Sequence, residues 1–267
     1  MSELNSMPRS ANRDIIRAKI ANKSLQNIDI FTFELTDSTN TRAKEFARER
    51  AARTPAVFIA DEQSAGRGRM GRDFVSKRGA GLFITLLIYP EADFKDAVKL
   101  TAYAAVKACE AIRKTSGLSP KIKWVNDLYA EEKKLAGILA EGEILQDGSF
   151  GFALVGIGIN IRDISLGEEL DKITTNIEKE CAKLIDKNEL AAALIDAFFT
   201  PDENFMDKYR QNSLVVGEKV LVKRISGEEF YATATDITDS GALVVEYDGR
   251  REELISAEVS VRKITEE

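Results

Sequence analysis

Between two apolar runs, AVFIAD (56–61) and GLFITLLIYP (81–90), the chain carries GRGRMGR (66–72). Both runs read as buried strands, the second ended by Pro90. The stretch between them cannot join a core. Guanidiniums need water or an anion, and glycine loses more entropy on ordering than any other residue. Over 66–78, Arg67, Arg69, Arg72, Lys77 and Arg78 face only Asp73, a net of +4 on a chain of net charge −6. A fold for this sequence must therefore carry a cationic loop beside a buried sheet. Such a loop is expected to be mobile alone and ordered by a polyanion, since backbone N–H groups and planar guanidiniums suit phosphate and carboxylate oxygens. A plain solvated loop is the alternative. A dinucleotide turn fits poorly, because RDFVSKRGAGLF after Gly71 lacks the helix that must face a pyrophosphate.

The net negative charge argues against a protein that coats nucleic acid, so any basic function is local. The chain has no histidine at all. Ser-His-Asp chemistry, Cys-His chemistry and imidazole metal sites are excluded together, leaving Lys, Arg, Asp, Glu, backbone groups or a hard cation. Cys109 and Cys181 lie far apart in helix-like surroundings and read as reduced, buried thiols. No apolar run approaches a membrane span, and MSELNSMPRSANRD has no signal-peptide core, so a cytoplasmic location without membrane contact is expected.

Residues 1–27 read as a polar, weakly helical extension with Ile15, Ile16 and Ile20 as its apolar points. IDIFTFELTDSTN (28–40) alternates as a strand, and Ser38 or Thr39 is placed to cap the helix that follows through Ala43, Phe46 and Ala47. Residues 94–117 form the clearest helix, with Val98, Thr101, Ala105, Ala108 and Ile112 on one side and Gly117 as its stop. KIKWVNDLYAEEKKLAGILAEGEIL reads as strands around a charged turn, and FGFALVGIGINI (150–161) as a buried strand with glycines. Helical patterns return at 174–186 and 188–211. After Asn212, short alternating runs separated by Ser226-Gly227, Ser240-Gly241 and Asp248-Gly249 predict a small antiparallel barrel of about fifty residues.

DSTN (37–40), Gln63, GRGRMGR, KWVND (123–127), KLAGIL (134–139) and GIGIN (156–160) occur in one order. This ordered set resembles the biotin protein ligases, also called biotin–[acetyl-CoA-carboxylase] ligases, from about residue 28 to 262. The resemblance implies an α+β (mixed α/β) fold. A class II synthetase-like biotin/lipoate ligase catalytic domain over 28–211 would be followed by an SH3-like barrel over 212–267. It also implies the activity. ATP and biotin are substrates, with Mg²⁺, for biotinyl-5′-AMP formation, and biotin then passes to a lysine of a biotin carboxyl carrier protein. That chemistry suits a site without histidine, because a carboxylate attacking an α-phosphate needs positioned cations rather than a proton shuttle.

By resemblance, Arg69 secures the adenylate, Arg67 and Gly68 belong to its binding loop, and Arg72 helps to order that loop. Lys134 meets the biotin carboxylate and the α-phosphate, although EEKK on its own reads as an exposed turn. Ser38, Thr39 and Gln63 match polar groups around the ureido ring, whose two N–H donors and one carbonyl call for hydroxyls and an amide. Capping is the alternative role for Ser38 and Thr39. Asn40 ends the same motif as a hydrogen bonder, and Gly137 lets backbone approach the ligand. Asn126 belongs with the nucleotide, and with Asp127 is placed to assist Mg²⁺. A turn network serves both equally well. Asn160 matches a residue near the adenine.

Val125 stands where many members have proline, and Phe74 is the nearest aromatic where many have tryptophan. The SP that often follows is Ser76-Lys77 here. These departures bear on adenylate affinity more than on reaction type. Some relatives begin with a DNA-binding winged helix of roughly sixty residues. With 27 residues before the first strand, a stand-alone ligase that binds no nucleic acid is expected, and a sheet-to-sheet homodimer is allowed. A lipoate ligase would lack GRGRMGR, a degenerate relative would hold biotin without activating it, and a nucleic-acid module would need an aromatic-basic surface.

Overall fold

The computed structural model describes residues 10–50, 53–89, 97–144, 150–255 and 259–263. Pro90 and residues 94–96, read above as a strand end and a helix start, lie outside the described residues, as do 1–9 of the extension. Seven strands form one sheet: β1 (Asp29–Phe33), β2 (Ala56–Ala60), β3 (Gly81–Ile88), β4 (Lys121–Lys123), β5 (Asp127–Ala130), β6 (Lys133–Ile144) and β7 (Phe150–Asn160). Their order is β1-β2-β3-β7-β6-β5-β4, with β1 and β2 parallel and every other pair antiparallel. The strand read over 28–40 stops at Phe33, and bends follow to the helix start.

One face of the sheet is fully dressed. Leu82, Ile84 and Leu86 of β3, with Val155, Ile157 and Ile159 of β7, pack beneath helices α3 (Ala97–Ser116) and α6 (Lys187–Phe198). Because α3 lies between this sheet and α6, it is buried around most of its girth rather than along one stripe, from Leu100 to Ile112. On the opposite face, α2 (Thr39–Glu49) covers only part of the sheet. Ala43 and Ala47 join Phe58, Leu87, Phe152 and Leu154 in a second cluster.

The helical pattern read over 174–186 holds only the short α5 (Ile177–Cys181), preceded by α4 (Glu168–Ile173), and that read over 188–211 is broken into α6 and α7 (Phe205–Gln211). Thr200-Pro201 explains the gap before α7, since proline removes a donor and disfavours helical geometry in the residue before it. The polar N-terminal segment is stitched into this body. Its helix α1 (Arg13–Lys19) buries Ile16 completely, and Ala11 N donates to Asp61 Oδ1 at 3.0 Å. The same carboxylate pairs at 2.9 Å with fully buried Lys187, whose ammonium is pushed below its ordinary pKa by burial, against the pull of Asp61.

The C-terminal strands β8 (Lys219–Arg224), β9 (Glu229–Ile237), β10 (Leu243–Tyr247), β11 (Arg250–Leu254) and β12 (Val259–Lys263) pair antiparallel in the order β11-β10-β9-β8-β12. Pairings among the described residues leave β11 and β12 at the two ends of this sheet. Gly227, Gly241 and Gly249 all take positive φ, at the three turns the sequence marks. Asp248 also has positive φ, 48°, so Asp248-Gly249 makes the two-residue turn whose twist matches its flanking strands.

Both cysteines are free, but only Cys109 is buried; Cys181 is half-exposed at the end of the short α5, which corrects the expectation of two buried thiols. Burial pushes the Cys109 thiol up to about 12. Titration of the native protein with a thiol reagent at pH 8 is expected to modify Cys181 quickly and Cys109 only after denaturant is added. Rapid modification of both in the native state would contradict this packing.

Candidate functional site

The half of the sheet that α2 leaves bare is paved by glycine. On β7 the residues facing α2 and the space beyond it are Phe152, Leu154, Gly156 and Gly158. Register places Phe83, Gly158 and Gly137 in one row across β3, β7 and β6, and Thr85, Gly156 and Leu139 in the next. Three of these six positions are glycine, so the sheet raises few side chains there. The result is a cavity of about 530 Å³.

What lies on this floor needs the missing Cβ atoms. A methyl on Gly158 would come within 2.4 Å of the Phe74 ring, and one on Gly156 within 2.4 Å of Asn40 Oδ1. Phe74 therefore rests on the Gly158–Gly137 row, edge-on to Phe83 at 6.3 Å. Asn40 rests on the Gly156 row.

The glycine-arginine stretch forms the wall. Phe74 N donates to Gly66 O at 2.9 Å and Gly68 N to Arg72 O at 2.7 Å, so the loop folds back on itself. A Cβ on Gly66 would lie 2.3 Å from Phe74 O, which no side chain tolerates. At the tip Met70 and Gly71 take left-handed φ of 57° and 71°. This turn directs Arg69 inward, where its Nη1 donates to Asn126 Oδ1 at 3.0 Å. Burial lowers the pKa of this guanidinium while Asp127 opposes the shift.

Lys134 reaches the cavity through a bulge. Pairing of β5 with β6 runs Asp127↔Gly137 and Leu128↔Ala136, then Tyr129↔Lys134. Leu135 is thus the extra residue, and Leu135 and Ala136 both enter the core. Without the bulge, Lys134 and Gly137 would fall on opposite faces of the strand; with it, both line the cavity. Lys134 Nζ sits 2.8 Å from Asp127 Oδ1, an ion pair without an aligned hydrogen bond.

The segment Ile122–Asp127 that presents Asn126 and Asp127 is gripped from outside the sheet. Ile122 N donates to Asn212 O at 2.7 Å, and Leu214 N to Ile122 O at 2.7 Å. Fully buried Tyr209 donates its hydroxyl to Val125 O at 2.8 Å, and Trp124 Nε1 donates to Gly241 O at 2.9 Å. Arg210, next to Tyr209, donates to Ile237 O at 2.6 Å and pairs with Asp239.

Ser38, Thr39, Asn40, Gln63, Arg67, Gly68, Arg69, Arg72, Phe74, Asn126, Asp127, Lys134 and Gly137 all line this one cavity. Asn160 does not; its amide nitrogen is held by Thr175 O at 3.1 Å. Ser38 takes the N-cap position without making a side-chain cap bond, and it lines the cavity. Sequence reasoning missed Thr85, Glu141 and Tyr209 and met Ser76 only as part of a departure from the family pattern. Thr85, Ser76 and Glu141 complete the hydrogen bonds of Asn40 and Gln63, which only the folded chain reveals.

The sequence profile of the biotin/lipoate A/B protein ligase family matches residues 32–160, and that of the biotin protein ligase C-terminal domain matches residues 215–262. The bifunctional ligase/repressor BirA of Bacillus spizizenii is 30% identical over 241 residues, covering 85% of this chain and 72% of that protein. The biotin–[acetyl-CoA-carboxylase] ligase of Paracoccus denitrificans is 31% identical over 242 residues, covering 84% and 97% respectively. A solved biotin protein ligase of Aquifex aeolicus, in complex with biotin and ATP, superposes with a TM-score of 0.75 at 25% identity, covering 88% of this chain and 99% of that one. The chain is therefore a member of the biotin/lipoate A/B protein ligase family. Its glycine-arginine loop, its lysine-bearing strand and its C-terminal sheet place it among the biotin protein ligases within that family.

Gly158→Ala is expected to cost about 1–3 kcal/mol of stability by overpacking against Phe74. In a Phe74→Ala background the same change should cost less than half as much. Urea unfolding of the four proteins measures this coupling, and equal costs in both backgrounds would remove Phe74 from the glycine floor.

Proposed function

We propose that this cavity binds biotin and ATP together and joins them. The observation that carries the reading is the spacing of two cations by two adjacent residues. Asn126 holds Arg69 and Asp127 holds Lys134, so both charges point into a cavity whose other end is lined by Ser38, Thr39 and Gln63. The ureido ring lies at the hydroxyl end and its carboxylate reaches Lys134. A carboxylate oxygen attacks the α-phosphorus of ATP, the bond to the bridging oxygen breaks, and the electron pair leaves on pyrophosphate. Negative charge grows on the phosphoryl oxygens in the transition state, and Lys134 and Arg69 stabilise it without giving up a proton. Lys134 is already paired with Asp127, so the incoming anion competes for a cation held in place.

Biotinyl-5′-AMP then stays beneath Arg69 and the folded loop, away from water. In the second step the amine of a carrier lysine attacks the acyl carbon and AMP departs. The carrier is the biotin carboxyl carrier domain of a carboxylase, in keeping with the Paracoccus relative, a biotin–[acetyl-CoA-carboxylase] ligase. The nucleophile comes from the partner, and this chain needs no histidine to activate one.

Mg²⁺ belongs to the same reading. Asp127 Oδ1 is buried and lies 2.8 Å from the Lys134 ammonium without an aligned hydrogen bond, so it would take a hard cation as Lys134 turns to the incoming anion, whereas Asn126 Oδ1 is committed to Arg69. No group of three acidic or thiol side chains that could hold a metal ion occurs among the described residues, so Asp127 would hold the ion together with oxygens of the substrate and water. Bound there, the ion neutralises charge on the phosphates. No helix among the described residues is long and apolar enough to cross a membrane.

Incubation with biotin, ATP and Mg²⁺ tests the reading through pyrophosphate release and retained biotinyl-AMP. Lys134→Ala is expected to slow adenylate formation by on the order of 10²-fold or more. Arg69→Ala is expected to form adenylate that leaks faster. Folded wild-type protein that binds biotin yet releases no pyrophosphate would sink the enzymatic reading.

A further inference from the structure

A line of polar groups runs beneath the hydroxyl end of the cavity. Asn40 Oδ1, Thr85 Oγ1, Thr39 Oγ1 and Gln63 Oε1 follow one another at 2.6, 2.8 and 3.0 Å. Thr85 is fully buried, and Thr39 and Asn40 are each 4% exposed, so water is not freely available to them.

Both ends of this line are acceptors, and each end is fixed. At one end Asn40 Nδ2 donates to Glu141 Oε2 at 2.6 Å. A carboxylate only accepts, so the amide nitrogen must face Glu141 and the amide oxygen must face Thr85. At the other end Gln63 Oε1 accepts from Thr39 N at 2.8 Å. Gln63 Nε2 donates at 2.8 Å to Ser76 Oγ, whose own proton goes to Phe74 O at 3.1 Å. That amide cannot turn round either.

Between these acceptors lie three oxygen–oxygen contacts and two hydroxyl protons. The line is one proton short. The shortest contact, Thr85 to Asn40, holds one proton, and Thr39 has a single proton for two neighbours. With Thr85 giving its proton to Asn40 and Thr39 giving its own to Gln63 Oε1, the Thr39 oxygen accepts no proton from Thr85 and lies beside Gln63 Oε1 at the cavity wall. A ligand N–H placed there meets both and supplies the missing proton.

We infer that Glu141 is a specificity-determining residue that acts through Asn40 and Thr85, making the cavity demand a ligand N–H donor at Thr39 and Gln63. This rests on the biotin reading, since a cyclic urea carries two such donors. Glu141 does not line the cavity. It lies one strand row beyond Leu139 and also sits 3.5 Å from Arg67 of the loop. With glutamine at this position the constraint is lost. Asn40 can then turn its nitrogen towards Thr85, and Thr85 donates to Thr39 and Thr39 to Gln63. The empty cavity becomes self-satisfied, and a ligand N–H must displace a bond already made.

Calorimetric titration of biotin into the wild type, Glu141→Gln, Thr85→Val and the double variant tests this. Each single change is expected to weaken biotin binding about three- to tenfold, the scale of one hydrogen bond. The double variant should bind within twofold of Thr85→Val alone, because the relay is already cut. ATP titration should be unchanged in Glu141→Gln. Folding losses are separated by comparing biotin with the two carbamate analogues in which one ureido N–H is a ring oxygen. The preference for biotin over at least one analogue should shrink in Glu141→Gln, and this ratio does not depend on the active fraction. Wild-type affinity and preference in Glu141→Gln would overturn the inference. A Glu141→Gln loss that persists in full beside Thr85→Val would also overturn it, placing the effect on Arg67. Failure of the wild type to bind biotin would instead overturn the reading of the cavity on which it rests.

Discussion

The pairing of Gly158 with Gly137 across β7 and β6, and of Gly156 with Leu139 beside it, is the constraint on which the site depends. A sheet face with α2 packed against one half must bury or hydrate the other half. Large side chains there would fill the space, and no ligand would enter. Glycine instead exposes backbone that is already satisfied by the sheet ladder, so the floor offers contact without unpaired donors. Its cost is local stability, since glycine is a poor strand residue. Length offsets that cost: β6 and β7 are the longest strands of this sheet, and their opposite face carries Ile138, Val155, Ile157 and Ile159 into the main core. The site is thus a thin place in a sheet held firmly from behind.

Much of this was legible in the sequence, because glycine and arginine in a fixed order have few other uses. GRGRMGR, KWVND and KLAGIL were read as one constellation, and strand register does bring them to one cavity. Lys134 shows where such reading ends. Period-two alternation puts it on the opposite face from Gly137, and nothing in EEKKLAG announces the extra residue that brings it round. Glu141 and Thr85 were invisible for a different reason. A lone acid or hydroxyl on a strand has no periodic signal, and its meaning lies in what sits across the row. Asn160 is the reverse case, a motif residue that this structure spends on holding Thr175.

The C-terminal sheet was read as a separate unit joined in sequence, yet it shares hydrogen bonds with the site. Segment 122–127 has one side chain anchored by Gly241 and one carbonyl anchored by Tyr209, while Arg210 ties the same helix to the turn that carries Gly241. Gly241 must lack a side chain for this, because a Cβ there would lie 2.6 Å from Val98 Cγ1. Asn126 and Asp127, which space the two cations, therefore stand on a strip held by α7 and a turn of the small sheet. A change in how that sheet sits would reach Arg69 and Lys134 through two or three bonds.

A catalytic site without histidine has to solve an electrostatic problem in advance. Arginine and lysine do not switch charge near neutral pH, so an empty cavity must hold them apart from one another and still release them to a polyanion. Here each cation is paired differently. Arg69 donates to the neutral Asn126 amide, which orients it, and also feels the Asp127 charge. Lys134 leans on the Asp127 carboxylate, which does cancel it, but with poor hydrogen-bond alignment. The neutral tether suits a group that must retain a bound anion. The charged, misaligned tether suits one that must be surrendered when charge develops nearby.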